Sequence, residues 1–168
     1  MAAPLITCLW FSNQAQEVAE YYVSIFAPDS AITSTKHHTA GGQATHKQPA
    51  GSVLLVEFTL RGQKFVALNG GDPQDTWTFT PRLSLQVDCA DQAEVDRFWA
   101  ALGAGGDESA QRCGWLADKY GVSWQVVPAA MKTFLAAEDR EAADRAMVAM
   151  MGMKKLDVAA LQKAFDNA

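Results

Sequence analysis

The amino-acid sequence predicts an α+β protein built from two paired βαβββ modules with a C-terminal helical extension. The main observation is an internal repeat: Asn-Gln-Ala-Gln-Glu-Val at residues 13–18 recurs, one residue shorter, as Asp-Gln-Ala-Glu-Val at residues 91–95. Each copy follows a short apolar run and begins a stretch with apolar residues at helical spacing. Further strand-like runs follow each of these helices, so the same pattern of elements occurs twice.

The first module spans about residues 4–71. Its predicted strands are residues 6–11, 31–38, 52–60 and 63–69, and the helix after the first strand is capped by Asn13, a common N-cap residue. Arg61-Gly62 joins the last two strands as a tight hairpin. The polar, glycine-containing segment 39–50 is interpreted as a mobile loop, and residues 72–81 link the two modules.

The second module spans about residues 82–128, and helices follow over about residues 129–167. Its predicted strands are residues 83–89, 107–110, 111–118 and 122–127, with Tyr120-Gly121 as the turn before the last strand. Asp91 and Glu94 have the spacing of a capping box. The predicted C-terminal helices are residues 129–137, 140–151 and 157–166. Their predicted buried stripe consists of Met147, Met150, Met151, Leu161 and Phe165.

Composition favours one soluble, cytoplasmic domain over residues 1–168. The chain has 168 residues, 49% of them hydrophobic, and this is enough for a core without disulfides or metals. The net charge of −5 without a basic stripe argues against nucleic-acid binding, and no apolar run approaches the length of a membrane span. Cys8, Cys89 and Cys113 are an odd number without metal-type spacing, so reduced thiols in a cytosol are expected.

Strand alternation predicts which side chains lie under the helices and which face away from them. The apolar alternate residues are assigned to the helix side, namely Ile6, Cys8, Trp10, Leu54, Val56, Phe58, Leu60, Val66, Leu68, Leu83, Leu85, Val87, Cys89, Val122, Trp124 and Val126. The opposite faces then collect Thr7, Leu9, Phe11, Leu55, Glu57, Phe65, Asn69, Ser84, Gln86 and Gln125. An antiparallel sheet with one solvent-exposed face would show the same alternation of polar and apolar residues. A partly apolar surface with a few polar groups is nevertheless what a ligand pocket needs, so these residues other than Glu57, together with Trp115, are predicted ligand contacts.

Several segments together resemble the PhnB-like branch of the vicinal oxygen chelate superfamily, the glyoxalase, bleomycin-resistance and dioxygenase fold. The similar segments are residues 7–11 (TCLWF), 21–26 (YYVSIF), 56–58 (VEF), 67–71 (ALNGG), 113–116 (CGWL) and 120–128 (YGVSWQVVP). The resemblance runs over nearly the whole chain, including residues 147–157. It implies the glyoxalase-like fold for the paired modules. Members of this branch are often labelled 3-demethylubiquinone-9 3-methyltransferase-like.

In the metal-using members of that superfamily, the resemblance places four His or Glu ligands on the first and last strands of the two modules. By strand position and repeat symmetry these map to Thr7, Asn69, Ser84 and Gln125. Amides and hydroxyls are poor ligands for a transition metal. We therefore expect no tightly bound transition metal and predict no cofactor.

Three features of the sequence bear on catalytic chemistry: one carboxylate, the histidines and a cofactor-binding motif. Glu57 is the carboxylate on the inward face of a central strand, where burial would suit a general acid or base, and it is expected near Gln86 or Gln125. The alternative is a Glu that pairs with a neighbour or reaches solvent. His37, His38 and His46 lie on a strand end and in a polar loop without an acidic cluster, which argues against a metal site. The sequence lacks the glycine-rich fingerprint of a Rossmann cofactor site. It therefore shows no S-adenosylmethionine site that would support the methyltransferase label.

Two classes of function remain open. The first is a metal-free protein that binds a small apolar or aromatic compound. The second is an enzyme of the same superfamily, a lyase, isomerase or transferase, in which Glu57 acts as acid or base and amides of Asn69 and Gln125 stabilise an enolate-like oxygen. The resemblance also implies a homodimer.

Overall fold

The structure is a computed structural model that describes residues 5–71 and 78–167. It divides into two compact units, Met1–Thr78 and Phe79–Ala168. The helical tail belongs to the second unit. Among the residues that the structure describes, every helix is too short or too polar to span a membrane.

The described part of the first unit is a four-stranded sheet with one long helix. Its elements are β1 (Thr7–Phe11), α1 (Ala15–Ile25), β2 (Ser30–His37), the short α2 (Gln43–His46), β3 (Val53–Leu60) and β4 (Gln63–Asn69). The strand order is β1-β4-β3-β2, with β1 parallel to β4 and the other pairs antiparallel. The predicted hairpin is confirmed, because Arg61 and Gly62 both have positive φ (45° and 83°), as a two-residue hairpin turn requires.

Helix α1 covers one face of this sheet with its apolar stripe. Val18 and Tyr22 are fully buried, and the Tyr22 ring lies 6.4 Å from the ring of Phe58 on β3. The helix begins one residue later than predicted. Gln14 is the N-cap residue and makes no side-chain cap bond, so the prediction of Asn13 as the cap is wrong.

The described part of the second unit begins with a three-stranded sheet under a second helix. Its elements are β5 (Leu85–Cys89), α3 (Gln92–Gly103), β6 (Trp115–Ala117) and β7 (Ser123–Pro128), in the strand order β5-β7-β6. The predicted cap of α3 is confirmed, since the Asp91 carboxylate accepts from the N–H of Glu94 at 2.9 Å. Residues 107–110, predicted as a strand, instead contain a 3-10 turn, because the Asp107 carboxylate accepts from the N–H of Ser109 and bends the chain there.

Three helices complete the second unit: α4 (Ala129–Leu135), α5 (Arg140–Met151) and α6 (Val158–Asp166). They share a core with the following buried members: Met131, Phe134, Ala146, Leu156 and Leu161. Met151 is 68% exposed, so its place in the predicted buried stripe is wrong; the buried face of α5 is instead formed by alanines.

The tail is held to α3 by the side chain of Gln92 and to the start of the β6 hairpin by backbone bonds. The Gln92 side chain donates to the carbonyl of Leu156 at 3.2 Å and accepts from the N–H of Val158 at 2.8 Å. The N–H groups of Cys113 and Gly114 donate to the carbonyls of Met153 and Lys154. The C-terminal helices are therefore an integral part of the second unit.

Candidate functional site

Strands β1 and β4 present the opposite faces from those predicted. Leu9 and Phe11 are 2% and 4% exposed and lie in the core on the side of α1. Thr7 and Leu9 pair with Phe65 and Ala67 of β4, so Phe65 shares this face. The prediction that these side chains face away from the helix is wrong. The β1 sequence Thr-Cys-Leu-Trp-Phe is apolar at nearly every position, so alternation alone does not fix its orientation.

Asn69 also lies on the helix side, where it has a structural role. Its Oδ1 accepts from the N–H of Ala15 at 2.8 Å, and its Nδ2 donates to the carbonyl of Val53 at 3.0 Å. Ala15 is the first residue of α1 and carries one of the unpaired N–H groups that every helix N-terminus leaves. Asn69 therefore supplies from β4 the cap that the chain before α1 does not provide.

The face of the first sheet away from α1 combines apolar side chains with one carboxylate. Val56 and Phe58 of β3 are buried against the helix, so Glu57 between them points to the other face, as predicted. Glu57 pairs with Val66, which in turn pairs with Cys8. This open face of the first unit also carries Trp10, Leu55 and Leu68, and it continues on β2 with Ser34 and Lys36, which pair with Glu57 and Leu55.

Trp10 is fixed at one end of that open face. Its indole Nε1 donates to the carbonyl of Gly71 at 3.2 Å, and the ring lies against Gly70 so closely that a Cβ there would come within 2.1 Å of a ring carbon. Burial raises the pKa of the Cys8 thiol in the same strand, which keeps it protonated at neutral pH. This cysteine is therefore not an activated nucleophile.

The open face of the second sheet carries a row of neutral polar side chains, as predicted. Gln86 of β5 and Trp115 of β6 both pair with Gln125 of β7, so these three side chains point to the same face, away from α3. Gln125 Nε2 donates to the hydroxyl of Ser84 at 2.9 Å. We call Ser84, Gln86, Trp115 and Gln125 the amide row.

One ion pair borders the amide row. Gln86 Nε2 donates to a carboxylate oxygen of Asp88 at 2.7 Å, and Lys132 Nζ on α4 donates to the other oxygen. The bonds from Lys132 and from Gln86 hold the pKa of Asp88 below its ordinary value, so it is charged at neutral pH. The bond to Asp88 uses the amide nitrogen of Gln86 and orients the side chain, and the amide oxygen takes no part in that bond.

The two predicted metal positions in the first sheet are not structurally equivalent to the two in the second sheet. Gln86 pairs with Gln125 across β5 and β7 just as Cys8 pairs with Val66 across β1 and β4. In the first unit, Cys8 and Val66 are thus the counterparts of the two glutamines, whereas the predicted positions Thr7 and Asn69 lie one and three residues away from them and on the opposite face. Within residues 5–71 and 78–167, no group of three or more His, Cys, Asp or Glu side chains could hold a metal ion.

A cavity at the end of the first sheet is lined by all three histidines of the chain. It has a volume of about 340 Å³, and its lining includes His37, His38, His46, Leu54, Leu68 and Asn69. The rings of His38 and His46 lie 4.5 Å apart between centroids and are inclined by 34°. We call this space the imidazole cavity. Sequence reasoning misses it because the pattern of residues 39–50 predicts a mobile loop, whereas the structure forms α2 in this segment.

His38 carries a buried nitrogen that the fold does not satisfy. The residue is 8% exposed, and among the residues that the structure describes its Nε2 has no hydrogen-bond partner. A buried polar atom in this state typically costs about 1–3 kcal/mol of stability.

Comparison with known proteins identifies the family. The chain matches the family described as 3-demethylubiquinone-9 3-methyltransferase over residues 3–127. It is similar to the solved structure of the PhnB protein from Bacillus cereus, with 32% identity, coverage of 76% of this chain and 100% of that chain, and a TM-score of 0.63. It is also similar in fold to protein PA1353 from Pseudomonas aeruginosa, with 16% identity, coverage of 76% and 98%, and a TM-score of 0.54.

Among curated proteins, no match was found. The family match covers both βαβ halves and includes each of the similar segments except Pro128, and it ends before residues 147–157. The resemblance of the sequence motifs to the PhnB-like family is therefore confirmed, and the chain belongs to the PhnB-like, 3-demethylubiquinone-9 3-methyltransferase family.

Proposed function

We propose that the chain binds a small organic molecule through the amide row of its second unit and without a transition metal. The observation that carries this proposal is the side-by-side placement of Gln86, Gln125 and Trp115 on the open face of the sheet. Primary amides offer both donors and acceptors, and an indole offers a flat apolar wall. Few polar groups beside an aromatic surface are the usual composition of a small-molecule site.

The chemistry of the row supports binding rather than metal catalysis. Glutamine amides and the Ser84 hydroxyl are neutral, whereas zinc, nickel and iron sites are built from imidazoles, thiolates and carboxylates. Trp115 is partly exposed, so part of its ring is accessible for stacking. These side chains suit a ligand with a carbonyl or hydroxyl group and a planar apolar part.

An enzymatic function is the second candidate, and the position of Glu57 favours it. Its carboxylate lies on the open face of the first sheet beside Val66, where a substrate proton could be transferred. This alternative covers a lyase, isomerase or transferase acting on a small organic substrate. A homodimer is also part of the proposal, and it is supported by the exposure of the apolar Val148 and Met151 on α5 (71% and 68%).

A thermal-shift screen of small carbonyl and hydroxyl compounds tests the proposal. A ligand that binds the native chain raises its unfolding temperature by mass action. We expect hits on the wild-type chain to lose at least about tenfold in affinity in Gln125→Leu, because the variant keeps the size of the side chain but leaves the ligand's polar group unpaired.

Gln162→Leu is the matched control, since Gln162 is an exposed glutamine on α6 whose amide bonds to Asp166 within its own helix. It should leave the affinity of every hit unchanged. Equal binding of the hits by Gln125→Leu and the wild type would contradict the proposal. Turnover of a hit by the wild type but not by Glu57→Gln would favour the enzymatic alternative.

A further inference from the structure

A tight hairpin places Arg112 beside Trp115 in the second unit. The N–H of Arg112 donates to the carbonyl of Trp115 at 3.1 Å, and the N–H of Trp115 donates to the carbonyl of Arg112 at 2.7 Å. The two residues between them, Cys113 and Gly114, have φ of 49° and 81°, as a two-residue hairpin turn requires. Directly opposed residues of an antiparallel pair project their side chains to the same face. Arg112 therefore belongs to the face that carries the amide row.

The residue before Arg112 gives independent evidence for this orientation. Gln111 has an extended backbone with φ of −79° and ψ of 109°. Its Nε2 and a methyl carbon of Leu116 both lie 3.8 Å from the position that a Cβ would take at Gly103 of α3. Successive side chains of extended backbone point to opposite faces. Because Gln111 and Leu116 lie under α3, their neighbours in the chain point away from it.

The tail holds the hairpin in place. The N–H groups of Cys113 and Gly114 donate to the carbonyls of Met153 and Lys154 at 2.7 and 2.8 Å. The Arg112 side chain is exposed, but the backbone that carries it is fixed from both sides of the turn. A ligand then has to order only the side chain, which lowers the entropic cost of binding.

Arg112 brings a positive charge to one end of the row. A guanidinium does not lose its proton in proteins. Within the part of the chain that the structure describes, the Arg112 guanidinium makes no hydrogen bond or ion pair. At the opposite end of the row, the Asp88 carboxylate beside Gln86 is paired with Lys132. The end of the row at Arg112 therefore attracts an anion, and the end at Asp88 does not.

The chemical groups of this face follow a definite order across the sheet. Each pairs with the next on neighbouring backbone, in the sequence Arg112 guanidinium, Trp115 indole, Gln125 amide and Gln86 amide. Neighbouring strands lie about 4.8 Å apart. A flat ring on the indole thus has the guanidinium within reach on one side and the Gln125 amide on the other.

We infer that the ligand of the amide row is a small aromatic carboxylate, whose carboxylate pairs with Arg112 while its ring stacks on Trp115. A guanidinium binds a carboxylate through two parallel charge-assisted hydrogen bonds. The inference rests on the proposed function, which leaves the charge of the ligand open, and it adds Arg112 to the residues that recognise the ligand.

Two compounds of nearly the same shape serve as probes. 4-Acetylbenzoate carries a carboxylate for Arg112 at one end of the ring and a carbonyl for the Gln125 amide at the other. 4-Acetylbenzamide is the matched control, because it keeps the ring and both carbonyls but lacks the charge. The two therefore differ in the ion pair alone.

The experiment is a titration of the ¹⁵N-labelled wild-type chain at low ionic strength, where exposed charges are least screened. Binding is followed at Nε of Arg112 and at the indole N–H of Trp115. We expect saturable shifts at both groups with 4-acetylbenzoate and a dissociation constant on the order of 1 mM. 4-Acetylbenzamide should bind about tenfold more weakly, because a neutral amide forms no ion pair. In Arg112→Gln, the two probes should bind equally weakly.

Two further variants separate the possible causes. Arg97→Gln removes the same charge from α3, on the other face of the sheet, where the Arg97 guanidinium lies 3.9 Å from the centre of the Phe98 ring. It should leave the preference for the anion unchanged. Gln125→Leu tests the proposed function, and it should weaken both probes by the same factor of about ten.

Several results would overturn the inference. They are the absence of saturable binding of 4-acetylbenzoate, equal affinity of the wild type for the two probes, a preference for the anion that persists in Arg112→Gln, and an equal loss of that preference in Arg97→Gln. If Arg112→Gln does not fold, the wild type decides, and a preference for the anion without a shift at Arg112 Nε overturns the inference as well.

Failure of the proposed function gives a different pattern. Equal binding of the two probes that is weakened in Gln125→Leu would remove the inference and support the proposed function. A preference that depends on Arg112, together with unchanged binding of both probes in Gln125→Leu, would contradict the proposed function and support the pairing with Arg112. If neither probe binds, the inference fails, and the thermal-shift hits alone decide the proposed function.

Discussion

Replacing Asp118 with alanine should lower the free energy of unfolding by about 3–5 kcal/mol. Asp118 is 3% exposed and closes the turn between β6 and β7. One carboxylate oxygen accepts from the N–H groups of Tyr120 and Val122 at 2.9 and 3.0 Å, and the other accepts from the indole Nε1 of Trp124 at 2.8 Å. The variant would leave buried donors without a partner. Urea denaturation followed by circular dichroism measures the loss.

Asp107→Ala is the control for this prediction. Asp107 is exposed, and its carboxylate accepts from the backbone N–H of Ser109 at 2.8 Å. Losing such an exposed cap should cost about 1 kcal/mol or less. A loss in Asp118→Ala no larger than in Asp107→Ala would mean that the Asp118 bonds do not hold the turn.

Replacing Gly106 with alanine should cost about 3 kcal/mol, the upper part of the usual range for an overpacked site. A Cβ at this position would lie 2.1 Å from the carbonyl oxygen of Ala117. That atom belongs to the backbone of β6, so a side-chain rotation does not relieve the clash, and the strand itself must shift. Trp115 lies on the same strand, so the amide row should be disturbed as well.

Gly152→Ala is the matched control, because a Cβ there would lie 3.5 Å from its nearest neighbour, an ordinary contact, and φ is −85°. Its stability should stay within about 0.5 kcal/mol of the wild type. The two variants are compared by urea denaturation. Equal stability of Gly106→Ala and Gly152→Ala would contradict the close approach of residue 106 to β6.

The sequence was sufficient for most elements of the fold, because their signals are local. The bounds of β4 and α5 agree with the predicted ranges 63–69 and 140–151. The Asp91 cap and the Arg61-Gly62 turn also depend on residues close in the chain. The 3-10 turn after Asp107 was missed because a side-chain bond to the backbone competes there with strand pairing.

The orientation of β1 shows where local reasoning fails. Trp10 and Leu9 are both large and apolar, yet Leu9 is buried and Trp10 is 39% exposed. The choice between them is made by pairing with β4 and by the packing of the indole on Gly70, and both involve residues distant in sequence. In β5, by contrast, Gln86 and Asp88 alternate with Val87 and Cys89, and the predicted face is correct.

The imidazole cavity could not be predicted for a similar reason. His38 and His46 meet because the chain reverses through residues with positive φ at Gly42 and Lys47, on either side of α2. Glycine is a weak signal for such a reversal, and lysine is none. The orphaned nitrogen of His38 is visible only once its neighbours in space are known.

Native mass spectrometry of the untagged chain, purified without chelator and paired with elemental analysis, tests the central claim most directly. The account predicts a small organic adduct that is lost on denaturation, together with no stoichiometric zinc, nickel, manganese or iron, because the amide row offers neutral oxygen and nitrogen groups. One equivalent of a transition metal retained after extensive washing would contradict it.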